Sequence, residues 1–170
     1  MQYLSFKKNS QAVSAGLLLS DSDQVLDLSH PSCLEMLGDT QPSLLNMIQV
    51  GLEPISQRIK EFLRNKPPHK DAVIELREII FCAPIPNPGK VVGAAYNFTD
   101  ALDERSMPYP AEPVIFIRSG NTVIGPNDPI LIPPDVGNVG YEAELAVIIG
   151  KRALHIEPKD AMNYIAGYTV

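Results

Sequence analysis

Two glutamates separated by one residue precede an apolar run in the stretch Gly140-Tyr-Glu-Ala-Glu-Leu-Ala-Val-Ile-Ile-Gly150. Residues i and i+2 of a strand point to the same face, so a strand here places Glu142 and Glu144 side by side. The apolar residues that follow predict that this strand is buried. Burying two like charges together is costly unless a cation lies between them. The pair therefore indicates a divalent cation, Mg²⁺, Mn²⁺ or Ca²⁺, whose preferred ligands are oxygens.

The spacing of the two glutamates has a second interpretation, an exposed strand end with two solvated acids. Glu-x-Glu is a common pattern, and on the spacing alone this interpretation is favoured. The surrounding sequence favours the metal interpretation instead. The neighbouring segments are, in order, Pro84-Ile-Pro-Asn-Pro-Gly-Lys-Val-Val-Gly-Ala-Ala-Tyr96, Pro113-Val-Ile-Phe-Ile-Arg118, Val123-Ile-Gly-Pro-Asn-Asp-Pro-Ile-Leu-Ile-Pro-Pro134 and, after the glutamates, Ala161-Met-Asn-Tyr-Ile-Ala-Gly-Tyr-Thr-Val170.

Taken in this order, the segments closely resemble the fumarylacetoacetate hydrolase family, in its bacterial isomerase/hydrolase branch. The resemblance covers residues 84–170, about half of the chain. It implies that Glu142 and Glu144 are the family's two-glutamate metal motif. A third family ligand, an aspartate, follows the Gly-Tyr-Thr-Val strand by a few residues, and this sequence stops at Val170. We therefore expect a C-terminally truncated member.

The segment 97–110 is a long polar stretch between two predicted strands, and we interpret it as a lid over the metal motif. It offers Asp100, Asp103 and Glu104 as acid/base candidates. A solvated loop with surface acids is the better interpretation for at least two of the three. Aligned on Tyr96, the family's Asn-Tyr-x-x-His segment has Thr99 in place of a histidine that family members use in this lid.

Two further residues are candidates for contact with the substrate. Tyr96 could donate its hydroxyl to a bound oxyanion, although a half-buried tyrosine at a strand end is equally ordinary. Arg118 stands where the family commonly has a lysine, a change that keeps the charge but not the geometry. It could clamp a substrate carboxylate with two hydrogen bonds. Pairing with Glu142 or Glu144 is an equally good interpretation of Arg118.

The pattern of apolar residues predicts an α+β fold in two parts. We expect residues 1–70 to form a small N-terminal α/β domain and residues 71–170 to form a mixed, Pro-rich β-roll. The resemblance implies that this β-roll is an incomplete domain of the fumarylacetoacetase C-terminal type. Periodicity and turn residues predict the elements: strands at 2–7, 12–19 and 24–28, the last two joined by a turn at 20–23; a helix at 29–37; helices broken between Gly51 and Pro54; strands at 90–95, 114–117, 128–132 and 144–149; and a helix at 158–164.

Composition narrows the class of partners. The net charge of −6 argues against nucleic acid and anionic membranes as partners. Cys33 and Cys82 have no metal or redox spacing, so we interpret both as buried thiols in a reducing compartment. No apolar run follows Lys7 and Lys8 as a signal peptide requires, so we expect a cytoplasmic protein.

Two functions from different classes remain. The first is a metal-dependent enzyme that cleaves a C–C bond in small 2-oxo or 1,3-dicarbonyl acids, or isomerises or decarboxylates them. Its site residues would be Glu142 and Glu144 for the metal and Tyr96, Asp103, Glu104 and Arg118 for catalysis. We expect a homodimer in the full-length form and no activity from the truncated chain. The second is a non-catalytic fragment, or a partner subunit of a split or degenerate family member.

Overall fold

The N-terminal part of the chain forms a five-stranded antiparallel sheet in the order β4-β3-β2-β1-β5. The computed structural model describes residues 1–9, 11–20 and 22–170. The strands are β1 (Tyr3–Lys7), β2 (Ser14–Leu18), β3 (Gln24–Asp27), β4 (Val73–Glu75) and β5 (Ile80–Cys82). The first three confirm the predicted strands. The predicted turn at 20–23 includes Asp21, which lies outside the described residues.

Three helices follow β3 and cover one face of the sheet: α1 (Leu34–Leu37), α2 (Leu44–Val50) and α3 (Leu52–Asn65). The hydroxyl of Ser43 accepts a hydrogen bond from the backbone N–H of Asn46 and so caps the start of α2. Gly51 separates α2 from α3 with a φ of 116°, a conformation that favours glycine. The predicted break is therefore confirmed, and Pro54 lies in the first turn of α3, where no backbone N–H is needed.

The hydrophobic core lies between this sheet and its helices. Its buried members come from β2, β3, α1, α2, α3 and the turns between them: Ala15, Leu17, Leu26, Leu28, Cys33, Met36, Leu37, Leu44, Met47, Ile48, Ile55, Ile59 and Ala72. A smaller cluster of Phe6, Val25, Ile74 and Ile79 covers the other face. Full burial of one large aliphatic side chain contributes about 1.5–3 kcal/mol. This region therefore holds most of the apolar burial in the described chain.

A buried carboxylate closes the turn after β3. Asp27 is only 3% exposed, and its carboxylate accepts hydrogen bonds from the backbone N–H and the hydroxyl of Ser29. Lys8 Nζ lies 2.7 Å from Asp27 Oδ2. Burial alone would raise the pKa of Asp27, but the contacts with Lys8 and Ser29 outweigh it, and the pKa lies below its usual value. Asp27 is therefore charged and fully paired in the folded protein.

Residues 86–124 form a second compact unit. It contains the antiparallel pair β6 (Val91–Ala95) and β7 (Val114–Arg118), joined through the short helix α4 (Thr99–Glu104). Gly93 lies opposite Phe116, and a Cβ on Gly93 would collide with the Phe116 ring. Glycine is therefore required at this position for the ring to lie across the pair. Both predicted strands are confirmed.

Residues 125–170 group with residues 1–85 in the first compact unit. They contain the antiparallel pair β8 (Ala146–Ile149) and β9 (Ile165–Thr169). Ile148 and Ala166 are half-buried and pack against the main core cluster. A 3-10 helix, Pro158–Tyr164, joins the two strands at the position of the helix predicted at 158–164. The mixed α+β character of the predicted fold class is confirmed.

Two predictions about residues 71–170 can be compared with the elements of the structure. The predicted strand at 128–132 is wrong, since the segment is irregular and exposed. Pro129 removes one ladder donor from the segment, and Pro133 and Pro134, which follow it directly, remove two more, which explains its irregular backbone. The division at residue 70 stays a prediction, although β4 and β5 extend the N-terminal sheet beyond it. No helix in the described ranges is long and apolar enough to cross a membrane.

Candidate functional site

Glu142 and Glu144 lie in irregular, exposed backbone just before β8. The prediction that both belong to a buried strand is wrong, because β8 begins at Ala146 and Leu145 is 68% exposed. The pairing register gives the physical reason. The first described pair of β8 is Ala146 with Thr169, and no described strand pairs with residues 142–145, so this stretch lacks ladder hydrogen bonds. Within the described residues, neither carboxylate has a side-chain hydrogen bond or an ion pair.

The described residues do not bring a complete metal site together. They contain no group of three or more His, Cys, Asp or Glu side chains that could hold a metal ion. The oxygens of Glu142 and Glu144 suit Mg²⁺, Mn²⁺ or Ca²⁺ in kind. Two carboxylates alone do not complete the coordination of these ions, because Ca²⁺ takes about 6–8 oxygen ligands and Mg²⁺ adds several waters and substrate oxygens to one or two carboxylates. The metal-ligand role of the two glutamates therefore stays a prediction.

Tyr96 follows β6 and has an unusual backbone. Its φ is 56°, in the left-handed region that a bulky side chain seldom adopts. Such a conformation costs about 1–3 kcal/mol and is found most often at functional sites. The Tyr96 side chain is half exposed. A contact with the substrate and an ordinary position at a strand end both stay predictions for Tyr96.

The segment predicted to be a polar loop contains the helix α4. Leu102 is buried and anchors this helix, while Asp100, Asp103 and Glu104 are all exposed. Asp100 accepts a hydrogen bond from the backbone N–H of its neighbour Ala101. Glu104 has no side-chain hydrogen bond among the described residues.

Asp103 differs from the other two acids because a second segment holds its carboxylate. The hydroxyl of Tyr109 donates a hydrogen bond to Asp103 Oδ1 at 2.5 Å. The hydrogen bond to Asp103 raises the pKa of the Tyr109 hydroxyl, because the bond requires the hydroxyl to keep its proton. The sequence analysis missed Tyr109, although its place between Pro108 and Pro110 signals a rigid segment.

Arg118 ends β7, and its guanidinium carbon lies 5.4 Å from the centre of the Phe116 ring. This stacking gives the guanidinium a defined direction from the strand. Arg118, Tyr96, Asp103 and Glu104 lie in the compact unit 86–124, and the two glutamates lie in the other unit. Convergence of these residues in one site, and both interpretations of Arg118, therefore stay predictions.

The lid segment lacks a histidine in either possible alignment with the family motif. Aligned on Asn97 instead of Tyr96, the Asn-Tyr-x-x-His pattern would place Ala101 at the histidine position. The sequence has three histidines, His30, His69 and His155, and none lies in the segment 95–118. Proton transfer by this segment would have to use a carboxylate or a phenol.

Comparison with known proteins gives the family. The profile of the fumarylacetoacetate (FAA) hydrolase C-terminal family matches residues 90–170. This chain belongs to the fumarylacetoacetate hydrolase family. Among its relatives, oxaloacetate tautomerase FAHD2A, mitochondrial, of Homo sapiens is 42% identical over 98 residues, which are 58% of this chain and 31% of that protein. Oxaloacetate tautomerase fahd2, mitochondrial, of Xenopus laevis is 32% identical over 171 residues, which are 100% of this chain and 50% of that protein.

Solved structures show the same fold. Maleylpyruvate hydrolase from Sphingobium sp. SYK-6, solved with manganese(II) and pyruvate, aligns with a TM-score of 0.73 at 22% identity and covers 99% of this chain and 56% of that one. A fumarylacetoacetate hydrolase from Exiguobacterium antarcticum aligns with a TM-score of 0.69 at 23% identity. This family member spans at most about half the length of the curated relatives described above.

Proposed function

We propose that this family member contributes two ligands, Glu142 and Glu144, to a divalent-metal centre of an enzyme that acts on small 2-oxo or 1,3-dicarbonyl acids. The observation that carries the proposal is a pair of exposed glutamates, without protein partners among the described residues, inside the segment that matches the family. Mg²⁺ is the proposed ion, with Mn²⁺ or Ca²⁺ as alternatives. When bound, the ion would act as a Lewis acid on a substrate oxygen.

The relatives support the substrate class and leave the reaction open. The animal proteins are named oxaloacetate tautomerases, and the bacterial structure is a maleylpyruvate hydrolase that holds manganese and pyruvate. Oxaloacetate, maleylpyruvate and pyruvate are all 2-oxo acids. We propose the same class for this chain, with hydrolysis of a C–C bond, isomerisation and decarboxylation as the candidate reactions.

The register of β8 and β9 supports a position for the third ligand. Since Ala146 pairs with Thr169, each step back along β8 corresponds to one step forward along β9. In a longer chain with the same register, position 171 would lie opposite Glu144 and position 173 opposite Glu142. Residues opposite each other in an antiparallel pair have Cβ atoms about 4.5–5.5 Å apart. An acid at either position would therefore be within reach of the same ion.

We assign proposed roles to four residues of the compact unit 86–124. Arg118 would bind a carboxylate of the substrate through two hydrogen bonds. The Tyr96 hydroxyl would donate to a substrate oxygen that gains negative charge. Asp103 and Glu104 are the candidates for proton transfer. Each role requires the lid to come within hydrogen-bond reach of a bound substrate.

A specific observation favours a second candidate, a non-catalytic chain that binds another polypeptide. Val92, Ala94, Ile115 and Ile117 occupy one face of the β6–β7 pair, and all four are exposed. Contiguous exposed apolar patches of this kind mark interaction surfaces. Sedimentation of the purified 170-residue chain tests whether this face binds another polypeptide. A partner-binding chain should self-associate or co-purify with a polypeptide, and Ile117→Lys should abolish this.

Partners and location follow from the same proposal. We propose a small oxo-acid as the substrate, a homodimer in the full-length form, and neither nucleic acid nor membrane as a partner. The location is proposed to be the cytoplasm, whereas the animal relatives are named mitochondrial proteins. Fractionation of cells that express the chain from its own gene decides between the two.

The experiment that tests the metal proposal compares two lengths of chain. An extended chain with an acid at position 171 or 173 should gain thermal stability with Mg²⁺ or Mn²⁺, because ligand binding to the folded state raises stability by mass action. Glu144→Gln should abolish this gain, and Glu112→Gln, an exposed glutamate, should retain it. The 170-residue chain should bind weakly. Tight binding by the short chain, or an unchanged gain in Glu144→Gln, would contradict the proposed ligand set.

A further inference from the structure

The hydrogen bond between Tyr109 and Asp103 joins two parts of the lid segment that are six residues apart. It is a short bond to a carboxylate, a class that is roughly twice as strong as a bond between neutral groups. Tyr109 lies between Pro108 and Pro110. The restricted backbone around it lowers the conformational entropy that is lost when the ring is held in one place.

The helix that carries Asp103 needs such support. α4 has six residues, and helices shorter than about 12 residues are unstable in isolation. Leu102 anchors one side of α4 by burial. Its C-terminal turn is closed by backbone hydrogen bonds from Ser106 N–H to the Asp103 carbonyl and from Met107 N–H to the Leu102 carbonyl. The hydrogen bond from Tyr109 to Asp103 spans this same turn and links its two ends through side chains.

We infer that Tyr109 is a positioning residue of the lid segment, because its hydroxyl holds the Asp103 carboxylate and so orders the C-terminal turn of α4. The assignment deepens the proposed function, on which the lid role of this segment rests. The bond itself does not depend on a metal or a substrate. Asp103 and Tyr109 then act as one unit, while Glu104 keeps a carboxylate that is free of side-chain hydrogen bonds among the described residues.

The first test measures amide hydrogen exchange in the 170-residue chain. Tyr109→Phe removes only the hydroxyl, and exchange at the Ser106 and Met107 amides should accelerate roughly 2- to 10-fold, as expected for loss of one hydrogen bond from a local opening equilibrium. Tyr141→Phe removes the hydroxyl of a tyrosine that is 95% exposed and should leave these amides unchanged. Unchanged exchange in Tyr109→Phe would overturn the inference.

The second test follows the ionisation of the Tyr109 hydroxyl. This ionisation depends on the bond to Asp103, so a change in the packing of the ring alone would not shift it. The ring signals of Tyr109, identified by their loss in Tyr109→Phe, are followed by NMR as the pH is raised. Since Asp103 raises the pKa of the Tyr109 hydroxyl, Asp103→Ala should move its ionisation to lower pH. Glu104→Ala on the same helix should leave it in place. Equal behaviour of the two variants would show that Asp103 does not hold Tyr109.

The failure of this inference is distinct from the failure of the proposed function. Accelerated exchange in Tyr109→Phe together with metal binding that is insensitive to Glu144→Gln would support the Tyr109–Asp103 unit and overturn the metal centre. Metal binding that is lost in Glu144→Gln, together with unchanged exchange in Tyr109→Phe, would do the reverse.

Discussion

The regions before and after Ile79 differ in how far their apolar side chains are buried. Among the described residues, every buried apolar side chain except Leu102 lies between Phe6 and Ile79. The later strands also carry apolar residues, but Ile115, Ile117 and Ile149 are exposed. In the first region, three helices supply the second layer that covers the sheet. An apolar strand therefore predicts a face that is buried only where a second element packs against it.

The largest expected effect tests this comparison with one truncation in each region. Leu26 is 0% exposed in the core of the N-terminal sheet, and Leu26→Ala should lower the free energy of unfolding by about 2–5 kcal/mol. Ile117 is 70% exposed, and Ile117→Ala should change it by less than about 0.5 kcal/mol. Urea unfolding followed by circular dichroism measures both. Equal losses would show that β7 is buried in solution.

The next effect concerns the charged group that the N-terminal region buries. Asp27→Asn weakens the pairing with Lys8 and should cost about 1.5–3 kcal/mol, the range for hydrogen bonds to a charged group. The lowered pKa of Asp27 sets the sign of the pH dependence. Its stabilisation is complete above the pKa of an unfolded aspartate, about 4, and is lost as the pH falls through the folded value.

Unfolding measured from pH 6 down to pH 2 should therefore show a smaller loss of stability on acidification in Asp27→Asn than in the unmodified chain. Asp39→Asn is the matched control, because Asp39 is exposed and forms no ion pair with any residue that the structure describes. A pH slope that is unaffected by the loss of Asp27 would mean that another carboxyl group is responsible for it.

A smaller effect sharpens the description of the second region. Gly93→Ala places a methyl group against the Phe116 ring, which must move, and overpacking of this kind costs about 1–3 kcal/mol. Because Arg118 stacks on Phe116, its guanidinium should move as well. Gly89→Ala adds a methyl group with nothing within 4 Å and is the control. NMR shifts at Phe116 and Arg118 that are unchanged in Gly93→Ala would contradict the packing.

The smallest expected effect has the opposite sign. Tyr96→Gly relieves a left-handed conformation but adds freedom to the unfolded chain, so the net gain in stability should be about 1 kcal/mol. Val92→Gly, at a residue inside β6, should destabilise, because glycine is unfavourable in a strand interior. The increase in stability should come with a loss of activity in any active form of the protein. Destabilisation by Tyr96→Gly would show that the Tyr96 side chain stabilises the fold.

How far the sequence predicts the structure depends on whether the decisive contact is local. The break at Gly51 and the strands of residues 1–28 follow from turn residues and alternation, and they are confirmed. The strand at Glu142–Glu144 could not be judged in this way, because β pairing depends on a partner residue that sequence alternation does not reveal. The bond from Tyr109 to Asp103 was missed for the same reason, since neither residue is unusual alone.

A titration of the 170-residue chain with Mn²⁺, followed by paramagnetic broadening of its amide NMR signals, tests the metal role of Glu142 and Glu144. Weak binding at the paired glutamates should broaden the amides of residues 141–146 before any others. The double variant Glu142→Gln with Glu144→Gln should lose this broadening, while Glu112→Gln should keep it. Broadening that begins at Asp100, Asp103 and Glu104, or that persists in the double variant, would contradict a metal role for Glu142 and Glu144.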